Sequence, residues 1–295
     1  MDKNGLLGRM FKARASYLFI APSVLILGLF IFLPVVLTFV MSTQFLPSID
    51  RGIFVGLDNY AALLHDASFW SSLLITGQYV LMTVPFMVCG SLFFAVLLNI
   101  RTPFQAFFKG LYYLPVICSG IMVGVVWKWI YHGEIGVMNY FLGLLGMEPR
   151  IWLGDPALAL PSLALVGIWK NVGYYMIIFL AGLQTVPEEL YEAARIDGAR
   201  KVPIFFRITL PLLKPIVVTV LILATIAAFQ AFDMIYVMTF GGPMESTSTI
   251  LWKIYVTSFV KSQPGEGAAM GVVLFVIILG LSLVQFFYFK EESLG

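Results

Sequence analysis

The sequence predicts an all-α membrane protein that crosses the bilayer six times, and composition and charge distribution carry this prediction. Of its 295 residues, 60% are hydrophobic and 12% are charged, and the mean hydropathy is +0.94. A soluble domain carries about 25% charged residues, so roughly half of the expected charge is missing. It is missing in blocks, since no Asp, Glu, Lys or Arg occurs between Ala15 and Ile49. Such blocks indicate that much of the chain faces lipid.

Six apolar segments are long enough to cross a hydrocarbon core of about 30 Å, which takes about 20 helical residues. They are Tyr17 to Met41, Phe69 to Leu98, Gly110 to Tyr131, Pro156 to Gly182, Pro215 to Phe240 and Gly267 to Phe289. The first follows a basic lead-in, as a secretory signal does. Because it is longer than the about 7 to 15 residues of a signal's apolar core, we expect it to remain as the first helix.

The positions of the basic residues predict the orientation. Of the 18 Lys and Arg, 12 fall in the N-terminal segment, in the loops after the second and fourth helices and in the C-terminal tail, and five fall on the opposite side. Cytoplasmic loops carry the excess of positive charge. Both termini are therefore expected on the cytoplasmic side of the membrane.

Several functional classes have no support in the residues. Neither a G-x-x-x-x-G-K-[ST] phosphate loop nor an H-E-x-x-H zinc helix occurs. His65 and His132 both fall in outer loops, so we expect no metal site, and the net charge of +2 gives no support for a nucleic-acid partner. Cys89 and Cys118 are expected to pack as small apolar residues. No nucleophile and base are arranged for catalysis, so we expect no enzyme activity.

The apolar segments also lack the chains of Asp, Glu and His that proton-driven carriers use as relays. Lys170 and Asp233 interrupt the helices away from their ends. Active transport by this chain would therefore draw its energy from another subunit. The alternative is a self-sufficient secondary carrier or channel for a small polar solute.

The loop between the fourth and fifth helices predicts a short helix with signals at both ends. Thr185 and Glu188 have the spacing of a capping box, Pro187 suits a first turn, and Gly198 is placed to end the helix. Acidic residues lead and basic residues follow, as the helix dipole favours. A connector lying on anionic lipid is the alternative interpretation of this loop.

One spacing in this loop resembles a known family. Glu192-Ala193-Ala194, then Gly198 after three residues, then Ile208-Thr-Leu210-Pro211 resembles the EAA loop in the membrane subunits of binding-protein-dependent ABC importers. Phe54 to Tyr60 and Phe232 to Pro243 are similar to segments of the sugar-importer branch, in the larger membrane subunit of the maltose transporter.

The resemblance implies a type I ABC importer permease, with residues 1–295 as one transmembrane domain and an EAA coupling loop at about 185–211. It implies a second homologous permease, two ATP-binding subunits that hold ATP and Mg, an external solute-binding protein and a sugar or polyol cargo, with no cofactor in this chain. The residues it assigns to ATPase coupling are Glu192, Ala193, Ala194, Asp197, Gly198, Ile208, Leu210 and Pro211.

Ionisable residues inside a membrane indicate a functional site by default. Lys170 and Asp233 fall at similar depths, roughly 22 and 27 Å from the inner ends of their helices. They could contact substrate, form a structural ion pair or face water. A sugar needs polar partners for its hydroxyls and aromatic rings for its C–H faces. The predicted substrate pathway comprises Lys170, Asn171, Tyr174, Gln230, Phe232, Asp233 and Tyr236.

The outer stretch Thr247 to Phe259 places apolar residues near helical spacing. It predicts an amphipathic helix whose simplest role is to seat the chain on the outer membrane surface. A contribution to docking the external binding protein is the alternative.

Overall fold

A computed structural model describes residues 14–46, 52–99 and 104–291, with side chains described from Tyr17 to Tyr288. Several basic residues that predict the orientation lie outside this part of the chain. They are Lys3, Arg9, Lys12, Arg51 and Arg101, together with the side chains of Arg14 and Lys290.

The described residues form two compact units. The smaller unit comprises the described residues up to His65 together with Val256–Val273. The larger unit comprises Asp66–Tyr255, within its described ranges, and the described residues from Leu274 onward.

The smaller unit begins with one continuous apolar span, Tyr17–Ser42. Its segments are α1 (Arg14–Leu27), a π-helical turn (Gly28–Phe32) and α2 (Leu33–Ser42), followed by β1 (Gln44–Phe45), β2 (Ile53–Phe54) and α3 (Asp58–His65). The two strands pair antiparallel. The Asn59 amide donates to the carbonyls of Ser42 and Gln44, at 2.9 and 3.0 Å, and so ties α3 to the end of the span.

The larger unit contains the remaining elements up to Tyr255. They are α4 (Ala67–Leu98), α5 (Gln105–Ile117), α6 (Gly120–Ile130), α7 (Val137–Leu144), α8 (Pro156–Leu183), α9 (Glu188–Ile196), α10 (Lys201–Ile204), a π-helical turn (Phe205–Thr209), α11 (Leu210–Leu212), α12 (Lys214–Phe229), α13 (Asp233–Met238) and α14 (Ile250–Tyr255). A further π-helical turn (Val256–Val260) lies in the smaller unit, and α15 (Pro264–Glu291) begins there and ends in the larger one.

In the described residues, five spans are long and apolar enough to cross a membrane, and a sixth is counted if the bent pair of α5 and α6 is one span. The predicted all-α, multi-pass class is confirmed. The first, second, fourth and sixth predicted segments match Tyr17–Ser42, Ala67–Leu98, Pro156–Leu183 and Pro264–Tyr288 within three residues at each end.

The core of the larger unit lies where α4 and α8 pack together, with α5 and α12 against them. Leu163, Val166, Met176 and Phe179 of α8 are completely buried. A Cβ atom at Gly173 would collide with the backbone of Tyr112 in α5. Since lipid tails are as apolar as Leu, membrane helices depend on this kind of close backbone approach.

The fifth predicted span is present as Lys214–Met238 and the third as the bent pair of α5 and α6, and the helix is interrupted within both. The third turns by 97° between α5 and α6, where Cys118 and Ser119 have extended ψ angles of 140° and 135°. The fifth stops at Phe229 and resumes at Asp233. Breaks at membrane depth persist where protein or a water-filled cavity satisfies the freed backbone.

The short helix predicted after the fourth span is present as α9, but its predicted start is wrong. Pro187 occupies the N-cap position without a side-chain cap, and the Thr185 hydroxyl donates to the Gly182 carbonyl at 2.8 Å. Thr185 therefore completes the end of α8 instead of capping α9.

The predicted end of α9 is confirmed. Gly198 has a φ of +75°. Its N–H donates to the Arg195 carbonyl at 3.0 Å, and the Ala199 N–H donates to the Ala194 carbonyl at 2.9 Å. This pair of bonds is a Schellman motif, whose left-handed residue favours glycine.

The predicted outer helix is present as α14, and one side of it packs against α4. Ile250 is fully buried, and its N–H donates to the Thr76 hydroxyl of α4 at 2.8 Å. Lys253 is 9% exposed. The apolar spacing reflects burial against α4.

Candidate functional site

The larger unit contains a partly open cavity of about 200 Å³ between the two broken spans. Its walls come from α4, α6, α8, the end of α12, the break after it and the start of α13. The lining residues are Tyr79, Met87, Gly120, Gly167, Lys170, Asn171, Ala227, Ala228, Gln230, Ala231, Phe232, Asp233 and Met234.

Five of the seven residues predicted for the substrate pathway line this cavity. They are Lys170, Asn171, Gln230, Phe232 and Asp233. Tyr174 and Tyr236 do not line it. Tyr174 is 41% exposed and packs edge-on against the buried Tyr175. Tyr236 instead packs against the rings of Phe232, Phe240, Trp252 and Tyr255.

The two charged side chains of the cavity do not pair with each other. Lys170, half-buried in α8, and the exposed Asp233 both line the cavity, and no ion pair joins them among the described residues. The structural ion pair considered from the sequence is therefore not formed in this structure. An ammonium and a carboxylate are both available to a polar ligand.

Asp233 lies where the two broken spans meet. It is the first residue of α13, and Gly120 is the first residue of α6. A Cβ atom at Gly120 would lie 2.6 Å from Asp233 Oδ2 and 3.0 Å from its Cβ. A side chain at position 120 would therefore displace the Asp233 carboxylate.

The remaining polar wall is fixed by a local hydrogen bond. Asn171 Nδ2 donates to the Gly167 carbonyl at 2.9 Å, which holds the amide in one orientation. At Gly167 itself, a Cβ atom would collide with the Tyr79 hydroxyl. Sequence reasoning missed Tyr79, Gly120 and Gly167, because nothing in the spacing of single residues shows which distant helices approach one another.

Five aromatic rings form a cluster next to the cavity, which we call the ring cluster: Phe232, Tyr236, Phe240, Trp252 and Tyr255. Phe232 is 5.5 Å from Tyr236 and 5.3 Å from Tyr255, between ring centroids. Trp252 is 6.4 Å from Phe232 and 5.7 Å from Tyr255. Phe232 belongs to both groups, so the cluster fixes one aromatic wall of the cavity.

A set of polar contacts, which we call the outer anchor, ties α14 to α4 and to the break in the fifth span. Lys253 Nζ donates to Ser68 Oγ at 2.5 Å and lies 3.7 Å from Asp66 Oδ2. Asp66 also caps α4 by accepting from the Ser68 N–H at 2.8 Å. The Thr249 hydroxyl donates to the Ala231 carbonyl at 3.3 Å. Thr249 thus satisfies a carbonyl that the broken helix leaves free.

The EAA-like residues lie together on α9 and the segment that follows it. Glu192, Ala193 and Asp197 are exposed, and Ala194 is half-buried. Ile208 lies in the π-helical turn, and Leu210 and Pro211 lie in α11. Ile196, 87% exposed, adds an apolar side chain to the surface of α9.

The hydroxyls of Tyr191 in α9 and Thr209 in the π-helical turn are joined by a hydrogen bond of 3.1 Å. It links the helix to the foot of the fifth span.

Apolar spans with interrupted helices around a cavity that holds two charged side chains are typical of a multi-pass membrane transporter component. Residues 52–290 match the family described as "Binding-protein-dependent transport system inner membrane component". The chain belongs to this family and is a permease of such a system. The family predicted from the EAA spacing is confirmed.

Curated relatives match nearly the whole chain. The sulfoquinovosyl glycerol transport system permease protein SmoG of Agrobacterium fabrum is 38% identical over 272 residues, which cover 91% of this chain and 88% of SmoG. The trehalose/maltose transport system permease protein MalF of Thermococcus litoralis is 35% identical over 274 residues, with 92% of each chain covered.

Solved structures share the fold. A chain of a bacterial alginate ABC transporter, crystallised with a periplasmic protein bound to alginate pentasaccharide, matches with a TM-score of 0.87. The two chains are 20% identical, and 98% of each is covered.

Proposed function

We propose that this chain is one permease subunit of an ATP-driven importer and that it passes a sugar or related polyol delivered by an external solute-binding protein. The observation that carries the proposal is the cavity, which offers an ammonium, two amides, a carboxylate and an aromatic ring. The hydroxyls of a sugar hydrogen-bond to ammonium, amide and carboxylate groups. The C–H faces of the sugar ring pack on an aromatic ring.

The relatives support this cargo class. SmoG is named for sulfoquinovosyl glycerol, MalF for trehalose and maltose, and AraP of Bacillus subtilis, 36% identical over 278 residues, for arabinooligosaccharides. These cargoes differ in size and charge but are all glycosides. We therefore assign the class and expect the binding protein to select the individual sugar.

The size of the cavity supports a two-subunit pore. Its volume is about 200 Å³, whereas pockets that enclose a ligand on their own span about 300–1,000 Å³. We infer that a second homologous permease supplies the opposing wall. Residues 1–295 then act as one permease domain, and two such domains form the pathway.

Coupling to ATP is assigned to α9. Its exposed Glu192 and small Ala193 offer a carboxylate and a close backbone approach to an ATP-binding subunit, and Gly198 ends the helix sharply. Two such subunits hold ATP and Mg, so hydrolysis takes place outside this chain. The remaining coupling residues are Ala194, Asp197, Ile208, Leu210 and Pro211.

The mechanism that follows is alternating access. The ATP-binding subunits close on ATP and carry α9 with them, and the membrane helices turn the cavity toward the binding protein. Hydrolysis of ATP then restores the state in which the cavity opens toward the cytoplasm. In this arrangement α9 and both termini lie on the cytoplasmic side of the inner membrane.

The test is the ATPase activity of the purified complex in lipid vesicles, with unloaded binding protein and with binding protein loaded from a panel of neutral sugars, acidic sugars and polyols. We expect one cargo class to stimulate hydrolysis and to be transported. Stimulation by no cargo would overturn the sugar assignment. Transport by this chain alone, driven by an ion gradient, would favour the secondary carrier.

A charge reversal tests the docking surface within the same complex. Glu192→Lys should lower the amount of ATP-binding subunit that copurifies with this chain, or the stimulation of ATP hydrolysis by loaded binding protein. Glu148→Lys is the matched control, because Glu148 is also exposed but lies in a predicted outer loop. Equal recovery, stimulation and transport in both variants would contradict docking through α9.

A further inference from the structure

Tyr191 lies on the face of α9 that is turned toward the rest of the larger unit. Tyr191 and Ala194 are the half-buried residues of this helix, and its other residues are exposed. Positions three apart lie on the same side of a helix. Tyr191 therefore lies on the side of α9 that the rest of the larger unit partly covers, whereas Glu192, which is proposed to meet the ATP-binding subunit, is exposed.

Thr209, the partner of Tyr191, is anchored in the protein. Its side chain is 5% exposed, and its hydroxyl lies 3.1 Å from the Tyr191 hydroxyl. The backbone continues this connection, because the Leu213 N–H donates to the Thr209 carbonyl at 3.0 Å and the Val217 N–H donates to the Leu213 carbonyl at 2.9 Å. Leu213 is fully buried. Thr209 is thus built into the foot of α12.

From this foot, α12 leads directly to the cavity. It runs from Lys214 to Phe229, and Ala227 and Ala228 in its last turn line the cavity. At about 1.5 Å per residue, the 16 residues of α12 span roughly 24 Å. The covalent route from α9 to the same foot passes through the non-helical residues Gly198 to Arg200. The hydrogen bond bypasses this turn.

We propose that Tyr191 is a positioning residue for transport: through Thr209 it transmits displacement of α9 to α12 and so to the cavity. The proposal rests on the proposed function, in which α9 moves with the ATP-binding subunits. Tyr191 acts through Thr209 and contacts no cargo. Breaking the bond leaves the covalent turn at Gly198 to carry the displacement, so hydrolysis continues with less transport.

The experiment uses the complete complex in vesicles and measures cargo transported per ATP hydrolysed. Tyr191→Phe and Thr209→Val each remove one hydroxyl with little change in shape. We expect each to lower this ratio by about three- to tenfold, the range of one hydrogen bond. The double variant should fall no further, because both changes remove the same bond. Thr209→Ser keeps a hydroxyl and should retain the parental ratio.

Two comparisons separate this role from general support of the fold. Tyr140→Phe is the matched control, because Tyr140 is 66% exposed and lies away from α9. A structural role alone would shorten the lifetime of the complex on heating and lower hydrolysis and transport together, which leaves the ratio unchanged. Three results would overturn the proposal: a parallel loss of hydrolysis and transport, a parental ratio in Tyr191→Phe, or additive losses in the double variant.

Failure of the proposed function looks different. In that case the parental complex itself binds no ATP-binding subunit or shows no stimulated hydrolysis, and the positioning role is overturned with it. A coupled parental complex with unchanged variants overturns the positioning role alone.

Discussion

Glycines decide the geometry of this molecule at the residue scale, and each does so for a different reason. Gly198 supplies a left-handed φ that ends α9. Gly120 has an ordinary φ but leaves room for Asp233. The first requirement concerns backbone conformation and the second concerns space, so the two positions respond differently to substitution.

Gly120→Ala should displace the Asp233 carboxylate, because the added Cβ would lie 2.6 Å from Oδ2. We expect cargo transport to fall by about tenfold, the loss of one well-placed hydrogen bond, and Asp233→Ala to add little to it. Gly77→Ala is the control, since a Cβ there meets nothing within 4 Å. Equal transport by the two alanine variants would show that the carboxylate tolerates displacement.

Lys170→Met and Asp233→Asn test whether the cavity charges are independent. No ion pair joins them in the described residues, but both line one cavity, so we expect their effects on the thermal inactivation of the complex to add to within about 0.5 kcal/mol, the low end of the coupling between groups that share a cavity. A double-variant cycle in detergent measures this sum. A coupling energy well above that value would indicate a direct pair.

Gly198→Asp should uncouple hydrolysis from transport while the protein remains inserted. A side chain in the left-handed region costs roughly 1 kcal/mol, and a carboxylate at the end of α9 opposes the negative pole of the helix dipole. Gly198→Asn has the same size without the charge and should retain more coupling. Parental transport by Gly198→Asp, measured against ATP hydrolysed, would contradict this role.

At the scale of elements, the breaks in the third and fifth spans create the cavity, and neighbouring elements stabilise them. The Thr249 hydroxyl bonds to the carbonyl of Ala231 inside the second break. The ring cluster holds Phe232 in place. α14 is therefore part of the support of the cavity.

Lys253→Met should destabilise the outer anchor, because it leaves the Asp66 carboxylate and Ser68 hydroxyl without their cationic partner. Hydrogen bonds to charged groups contribute about 1.5–3 kcal/mol, and the exposed edge of Asp66 places the expected loss at the lower end. The thermal inactivation midpoint in detergent measures it. Lys261→Met, at an exposed site, should leave the midpoint unchanged, and equal shifts in the two variants would argue against the anchor.

At the scale of the whole molecule, the predicted orientation assigns α9 to the cytoplasm. Ile196, 87% exposed, reports on that side, and Met244, 83% exposed, reports on the predicted outer side. In a background of Cys89→Ala and Cys118→Ala, Met244→Cys should react with a membrane-impermeant thiol reagent in intact cells. Ile196→Cys should react only in inside-out vesicles, and the reverse pattern would invert the topology.

Much of the candidate site could be predicted because its polar residues are conspicuous in an apolar chain. Lys170 and Asp233 stand out in the sequence as isolated charges within apolar segments, and Asn171, Gln230 and Phe232 are polar or aromatic residues close to them. Tyr174 and Tyr236 were included by proximity in the sequence. Tyr174 lies one helical turn beyond Lys170 and Tyr236 four residues beyond Phe232, and only the tertiary packing shows that the cavity does not extend to them.

The sequence alone determined the membrane class, the positions of the apolar segments, the end of α9 and the family. These depend on local composition, on glycine's backbone freedom and on short-range spacing, all of which can be read from a single chain. Tertiary structure decided where the third and fifth spans break, that α14 packs inward, and that Gly120 meets Asp233. These features depend on backbone groups and side chains satisfied by residues far away in the chain, and local spacing carries no record of such partners.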